Sequence, residues 1–202
     1  MKKLILATHN RGKVKELQEL LGALPVEVFS LHDFPELGEI PETGSTFKEN
    51  AYIKAQTVFT YTGLPVIADD SGLEVDALGG APGVYSARYA GEGAADEDNN
   101  RKLLEALSQV SPSGRGAQFR SVICAIFGPG QEQYAEGICR GRIGFEARGN
   151  NGFGYDPLFL VEPDFERTMA ELSLEEKNAV SHRGRALRNL KPLLLEFLKG
   201  DT

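Results

Sequence analysis

Residues Leu64 to Gly91 read LPVIADDSGLEVDALGGAPGVYSARYAG, and this stretch sets the frame for the whole chain. Val66-Ile67-Ala68 has the apolar, β-branched character of a short buried strand, and it runs straight into two carboxylates, Asp69 and Asp70. Ser71-Gly72 then predicts a turn, which places both acids at a strand's end. In open α/β sheets that is where ligand sites form. The same three residue types, Asp, Ser and Gly, also build ordinary solvated turns, so the pair alone leaves both readings open. The next twenty residues hold more than a surface turn needs. A second short strand is predicted over Leu73 to Ala77, then come Gly79-Gly80-Ala81-Pro82-Gly83 and the aromatic run Val84 to Tyr89. Glycines there let backbone approach a ligand or another segment closely.

Working outward, the 202 residues carry a net charge of −7, with 41% hydrophobic and 25% charged residues, as in an ordinary globular protein with a sizeable core. The negative balance disfavours a stable nucleic-acid partner or an anionic membrane surface, both of which need a dominant basic face. Leu4 to Ala7 is shorter than the apolar core of a signal peptide, and no run approaches a membrane span, so a cytoplasmic protein is expected. Cys124 and Cys139 read as buried free thiols in neighbouring strands.

The flanking segments alternate between strand and helix. A strand is predicted over Lys3 to Ala7 and a helix over Lys13 to Leu24, joined by Thr8-His9-Asn10-Arg11-Gly12-Lys13. Such a strand-turn-helix aims the helix's first amides at an anion, with Asn10, Arg11 and Lys13 as further donors; a plain capped turn with solvated cations is the alternative. Val26 to Ser30 is a strand, and Leu31 to Ser45 is an acidic loop containing Glu42. Thr46 to Glu49 is a capping box opening a helix that runs to Gly63. A third helix is predicted over Asp96 to Val110, a two-face-buried strand over Phe119 to Phe127, and its hairpin partner over Gln133 to Ile143. Gly149 to Pro157 is a loop of glycines and aromatics suited to a flat ligand or to a glycine-rich turn. Ser173 to Glu176 caps another helix, and the last helix is expected to kink or break at Pro192.

The chemistry left standing is metal-assisted hydrolysis of a phosphate ester. The phosphate-loop and dinucleotide glycine signatures are absent, as are the nucleophile elbow and zinc-type His/Cys spacing, with His9, His32 and His182 the only histidines. Paired carboxylates with another acid nearby suit Mg²⁺, which prefers oxygen ligands and retains waters.

Five segments then carry a resemblance: Thr8–Lys13, Ala68-Asp69-Asp70-Ser71-Gly72-Leu73, Gly79–Tyr89, Gly152-Phe153-Gly154-Tyr155-Asp156-Pro157 and Ser181-His182-Arg183-Gly184. In this order they resemble the inosine/xanthosine triphosphate pyrophosphatase family. The resemblance implies an α/β fold with a long central mixed sheet flanked by helices, in which residues 1–202 form one two-lobed domain with an active-site cleft between the lobes. It implies Mg²⁺-dependent hydrolysis of ITP, dITP and XTP to monophosphate and pyrophosphate by a cytosolic homodimer. It makes Asp70 the catalytic acceptor and a metal ligand, with Glu42 as second ligand. Thr8, His9, Asn10, Arg11, Gly12 and Lys13 would hold the triphosphate, assisted by Ser71, with His9 standing where the family has a small residue. Phe153, Gly154, Tyr155, Asp156, Lys177, His182 and Arg183 would bracket the base. Lys13 and Arg11 suit the charge that builds on the leaving pyrophosphate; whether Asp69, Asp70 or water on the metal takes the proton stays open. Inosine and xanthine offer an oxygen acceptor where adenine offers an amino donor, so ATP should be rejected, and GTP less strictly. A pyrimidine-directed pyrophosphatase and a non-catalytic nucleotide binder remain as rivals.

Overall fold

The computed structural model describes residues 2–22 and 24–200. Its strands form one six-stranded sheet in the order β2-β1-β3-β4-β5-β6. β1 (Lys2–Leu6) lies parallel to β2 (Val26–Ser30) and to β3 (Val66–Val75), while β6 (Phe159–Val161) is antiparallel to β5 (Glu132–Ile143). β4 (Gly116–Ile126) turns into β5 through residues 127–131, a connection short enough only for a hairpin. The chain divides into two compact units, and β3, β4 and β5 each contribute residues to both. Among the described residues, no helix is long and apolar enough to cross a membrane.

The first unit comprises residues 1–70, 121–137 and 183–202. It is layered because successive strand side chains point to opposite faces. Leu4, Leu6, Ile67, Ile123 and Ala125 pack with Leu17 and Leu21 of α1 (Arg11–Leu21) and with Leu187, Leu190 and Leu194 of α5 (His182–Lys199). The alternate residues Ile5, Ala7, Val66, Ala68, Cys124 and Ile126 pack with Ala51, Ala55 and Val58 of α2 (Phe47–Thr62). Each fully buried aliphatic side chain is worth about 1.5–3 kcal/mol, so two such layers hold the strands firmly in register. α2 starts on the capping box of Thr46 and Glu49 and stops at Gly63, whose φ of 67° ends it in a left-handed turn.

The second unit comprises residues 71–120 and 138–182. Its core joins Leu73 and Val75 of β3 to Leu103 of α3 (Asp96–Ala106), Phe119, Cys139, Ile143, Phe159 and Met169. α4 (Leu174–Val180) is capped by Ser173 and Glu176.

Several expectations need correction. Asp69 and Asp70 do not end a strand: β3 continues through Ser71-Gly72 to Val75, so the predicted turn and second strand are one element. Turn-forming residues lose here because β3 sits between β1 and β4, and its buried charges find partners on both faces. α1 begins at Arg11 because Asn10 caps it, and it ends at Leu21; Ala23 of the predicted helix lies outside the described residues, as do Met1 and 201–202 of the expected domain. α3 stops at Ala106, where the Leu107 carbonyl accepts from Arg115 Nη1 at 2.8 Å. α5 runs unbroken through Pro192. Pro192 and Arg188, the residue whose carbonyl it cannot serve, are both exposed, and Leu190 and Leu194 are buried on the opposite side. Both cysteines are buried free thiols, with burial pushing Cys124 up to about 12.

Candidate functional site

In the first unit, the turn after β1 is built around Asn10. Its Oδ1 accepts the Lys13 amide at 3.1 Å, and its own amide donates to Thr8 Oγ1 at 3.1 Å. Residues Thr8 to Lys13 are thereby wound onto the start of α1, whose first turn holds no acid. Arg11 is exposed, Thr8 and Gly12 are half-buried, and Lys13 reaches across to β3. The positive end of the helix and its first amides lie in this turn with Arg11 exposed and Lys13 bound to Asp69 beside them, donors of the kind an oxyanion needs. The His9 side chain turns to the loop that follows β2, where its Nε2 donates to the Gly38 carbonyl at 2.8 Å.

The two aspartates of β3 follow the pleat. Asp69 shares the face of Ile67, against α1 and α5. Its Oδ2 lies 2.7 Å from Lys13 Nζ and 3.2 Å from Arg183 Nε, and its Oδ1 accepts from Ser121 Oγ at 2.5 Å. Arg183 in turn pairs with Glu16 of α1 through Nη1. Burial would raise the Asp69 pKa, but Lys13 and Arg183 outweigh it and hold this carboxyl well below the usual range. Arg183 is kept firmly protonated by Asp69 and Glu16 against its own burial. Neither group is suited to trading protons.

Asp70 shares the face of Ala68, against α2. Its Oδ1 lies 2.8 Å from Lys54 Nζ, and the same ammonium lies 2.8 Å from Glu42 Oε1 and donates to the Asp69 carbonyl at 2.8 Å. Burial lowers the Lys54 pKa less than Asp70 and Glu42 raise it, so this lysine stays charged. Asp70 gains less in return, because one ammonium serves two carboxylates. Burial pushes Asp70 above the usual carboxylate value; Lys54 and Lys13 pull it down and Glu42 adds to the rise. Glu42 and Asp70 thus converge on one cation position with oxygen donors, which fits a hard divalent ion. Among the described residues no three His, Cys, Asp or Glu side chains gather to hold a metal by themselves. Two carboxylates completed by water and phosphate oxygens is the usual Mg²⁺ arrangement.

In the second unit, the loop at Gly152–Pro157 folds onto α4. Asp156 Oδ2 accepts from Lys177 Nζ at 2.5 Å and from the Phe153 amide at 2.9 Å, and Lys177 Nζ sits 4.7 Å from the centre of the Phe153 ring. Gly152 has φ 78°, and a Cβ there would lie 2.0 Å from Asp156 Oδ2. The Gly154 amide donates to Asp96 at 2.6 Å. His182 is buried and stacks on Phe119, with ring centroids 4.8 Å apart and planes 15° from parallel. Tyr155 is buried with its hydroxyl donating to the Ser86 carbonyl at 2.8 Å, so it serves the loop's frame. Ser86 Oγ accepts the Leu73 amide at 2.9 Å, which gives Gly79–Tyr89 a framing role as well. Ser71 is half-buried on β3.

The structure therefore gathers Thr8, Asn10, Lys13, Glu42, Asp70 and Arg183 in the first unit, and Phe153, Gly154, Asp156 and Lys177 in the second. Sequence reading missed Lys54, Glu16 and Ser121. A signal existed for Lys54: with Asn50 it falls among Phe47, Ala51, Ala55 and Val58 on the buried stripe of α2, where a lysine has no place unless it meets carboxylates.

The profile of the Ham1 family matches residues 4–193. A dITP/XTP pyrophosphatase of an Exiguobacterium species is 52% identical over 98% of this chain and all of its own length. One from Geobacter sulfurreducens is 54% identical over 95% of this chain and 96% of its own. Among solved structures, a HAM1 protein from Coxiella burnetii superposes with a TM-score of 0.86 at 47% identity, covering 97% of this chain and all of the other. The Staphylococcus aureus Ham1 protein gives 0.82 at 41% identity, with both chains covered completely. With a family profile spanning nearly the whole chain and relatives of about half-identical sequence matched end to end, the chain belongs to the Ham1 family.

Proposed function

We propose that this chain hydrolyses dITP, XTP and ITP to the nucleoside monophosphate and pyrophosphate, cleansing the nucleotide pool, with Mg²⁺ as cofactor and as a cytoplasmic homodimer. The observation that carries this reading is the convergence of Glu42 and Asp70 on one cation position, next to a turn whose Lys13 is gripped by Asp69. The names of the half-identical relatives supply the base preference.

In this reading the Thr8–Lys13 turn takes the β- and γ-phosphates through its amides, Arg11 and Lys13, where charge builds as pyrophosphate leaves. Glu42 and Asp70 would hold the metal, which when bound supplies positive charge to the phosphate oxygens. Asp69 is too firmly held by Lys13, Arg183 and Ser121 to serve as base. Asp70, whose carboxylate faces Glu42 across the Lys54 ammonium, is the group we assign as acceptor for the proton of a water attacking the α-phosphorus. Arg183 keeps Asp69 and Glu16 in place. In the second unit Phe153 offers a ring face to the base, with Asp156, Lys177 and His182 around it. A donor there matched to a 6-oxo group would be left without an acceptor by adenine, at roughly 1–3 kcal/mol per group.

Pyrophosphate release from dITP, XTP, ITP, GTP, ATP and dTTP, with wild type and Asp70→Asn, tests the proposal. The first three are expected to turn over only with divalent metal, ATP and dTTP far more slowly, and the substitution to abolish release. Equal rates on ITP and ATP, or preference for dTTP, would sink it.

A further inference from the structure

Glu42 sits in a segment without regular structure, Gly38 to Gly44, yet its carboxylate is held to within hydrogen-bond distance of Lys54. Two contacts pin that segment's ends. At one end the Gly44 amide donates to Asn50 Oδ1 at 2.7 Å, and a Cβ on Gly44 would come within 2.7 Å of that oxygen. At the other, the Gly38 carbonyl accepts from His9 Nε2 at 2.8 Å. A carbonyl only accepts, so Nε2 carries the proton. Ile40, between the pins, packs against the α2-facing core. His9 also meets the His32 ring edge-on, with centroids 5.7 Å apart. The Asn50 pin belongs to α2 itself, the helix that carries Lys54. His9 instead belongs to the turn proposed to hold the phosphates.

We propose that His9 is a positioning residue: by holding the Gly38 carbonyl it fixes the Glu42-bearing segment against the Thr8–Lys13 turn, so that the carboxylate and the phosphate-binding amides keep one spacing. The imidazole acts through the loop and does not itself touch the nucleotide. This deepens the proposed function and rests on that reading for the role of Glu42, whereas the tether itself is independent of it.

The experiment compares wild type, His9→Leu and His9→Gln, the last keeping a donor at the position of Nε2. Amide hydrogen exchange is followed over residues 38–44, together with Mn²⁺ binding by electron paramagnetic resonance. His9→Leu is expected to speed exchange in 38–44 about fivefold, what one lost hydrogen bond is worth, and to weaken Mn²⁺ binding comparably. His9→Gln should restore both changed readouts. Unchanged exchange over 38–44 in His9→Leu, unchanged Mn²⁺ binding, or failure of His9→Gln to restore them, overturns the proposal. Failure of wild type to release pyrophosphate from dITP and XTP would instead remove the functional reading and leave the exchange result standing.

Discussion

Asp69 and Asp70 are consecutive residues of one strand whose carboxylates lie on opposite faces of the sheet, Asp69 2.7 Å from Lys13 of α1 and Asp70 2.8 Å from Lys54 of α2. The alternation of a strand divides one sequence doublet between two jobs. Asp69 completes a buried ion cluster with Arg183, Glu16 and Ser121; Asp70 faces Glu42 across a shared ammonium.

The two substitutions to asparagine should therefore part company. Asp69→Asn leaves the buried Arg183 and the half-buried Lys13 beside a neutral amide and is expected to cost roughly 3–5 kcal/mol of stability in urea unfolding. Asp70→Asn should stay within about 1 kcal/mol of wild type while pyrophosphate release falls at least a hundredfold, on the order of a lost general base. Equal stability losses would contradict this division.

Asp69 also sets an acid limit. Its folded pKa is depressed, so its contribution is present above the unfolded value of about 3.9 and is lost as pH falls through the lower folded value. The gap in unfolding free energy between wild type and Asp69→Asn should hold constant from pH 7 to 5 and close only below about pH 4.

Lys54→Met leaves Glu42 and Asp70 facing each other without their common cation. The Asp70 pKa, already above its unfolded value, should then rise further, with Glu42 pushed the same way, a form of stabilisation present at low pH and lost as pH rises. The variant is thus expected to be least stable relative to wild type near pH 7 and to recover toward pH 5. A double-mutant cycle with Asp70→Asn should show coupling of about 1–3 kcal/mol. Additive losses at every pH would remove Lys54 from this role.

Gly152→Ala should strike the second unit alone. A methyl at φ 78° within 2.0 Å of Asp156 Oδ2 displaces that carboxylate from Lys177 and from the Phe153 amide. The KM for dITP is expected to rise about tenfold or more, with kcat little changed and metal-free triphosphate binding intact. A fall in kcat at constant KM would argue against a base-side role for this loop.

Much of the molecule was legible from residue pattern. The capping boxes at Thr46 and Ser173 marked α2 and α4 because they satisfy helix amides locally, and the apolar run around Ile123 marked a strand covered on both faces. The course of β3 was not legible, because Asp-Asp-Ser-Gly has the local preferences of a turn and only sheet pairing on both sides overrides them. For the same reason Asp69 and Asp70 could be assigned to opposite faces only once the strand was seen to be continuous.

By itself the sequence determined the element types outside β3, the acid-bearing and glycine-bearing segments, and the family, since these rest on local propensity and on residue order. The tertiary structure decided which charges meet. Lys13 and Glu16 of α1, Glu42, Lys54 of α2 and Arg183 of α5 come from separate segments of the chain, and only the packing of α1 and α5 on one face of β3 and α2 on the other settles which of them neutralises which aspartate. A buried charge is tolerated only where a partner is brought to it, and that partner is chosen by the fold.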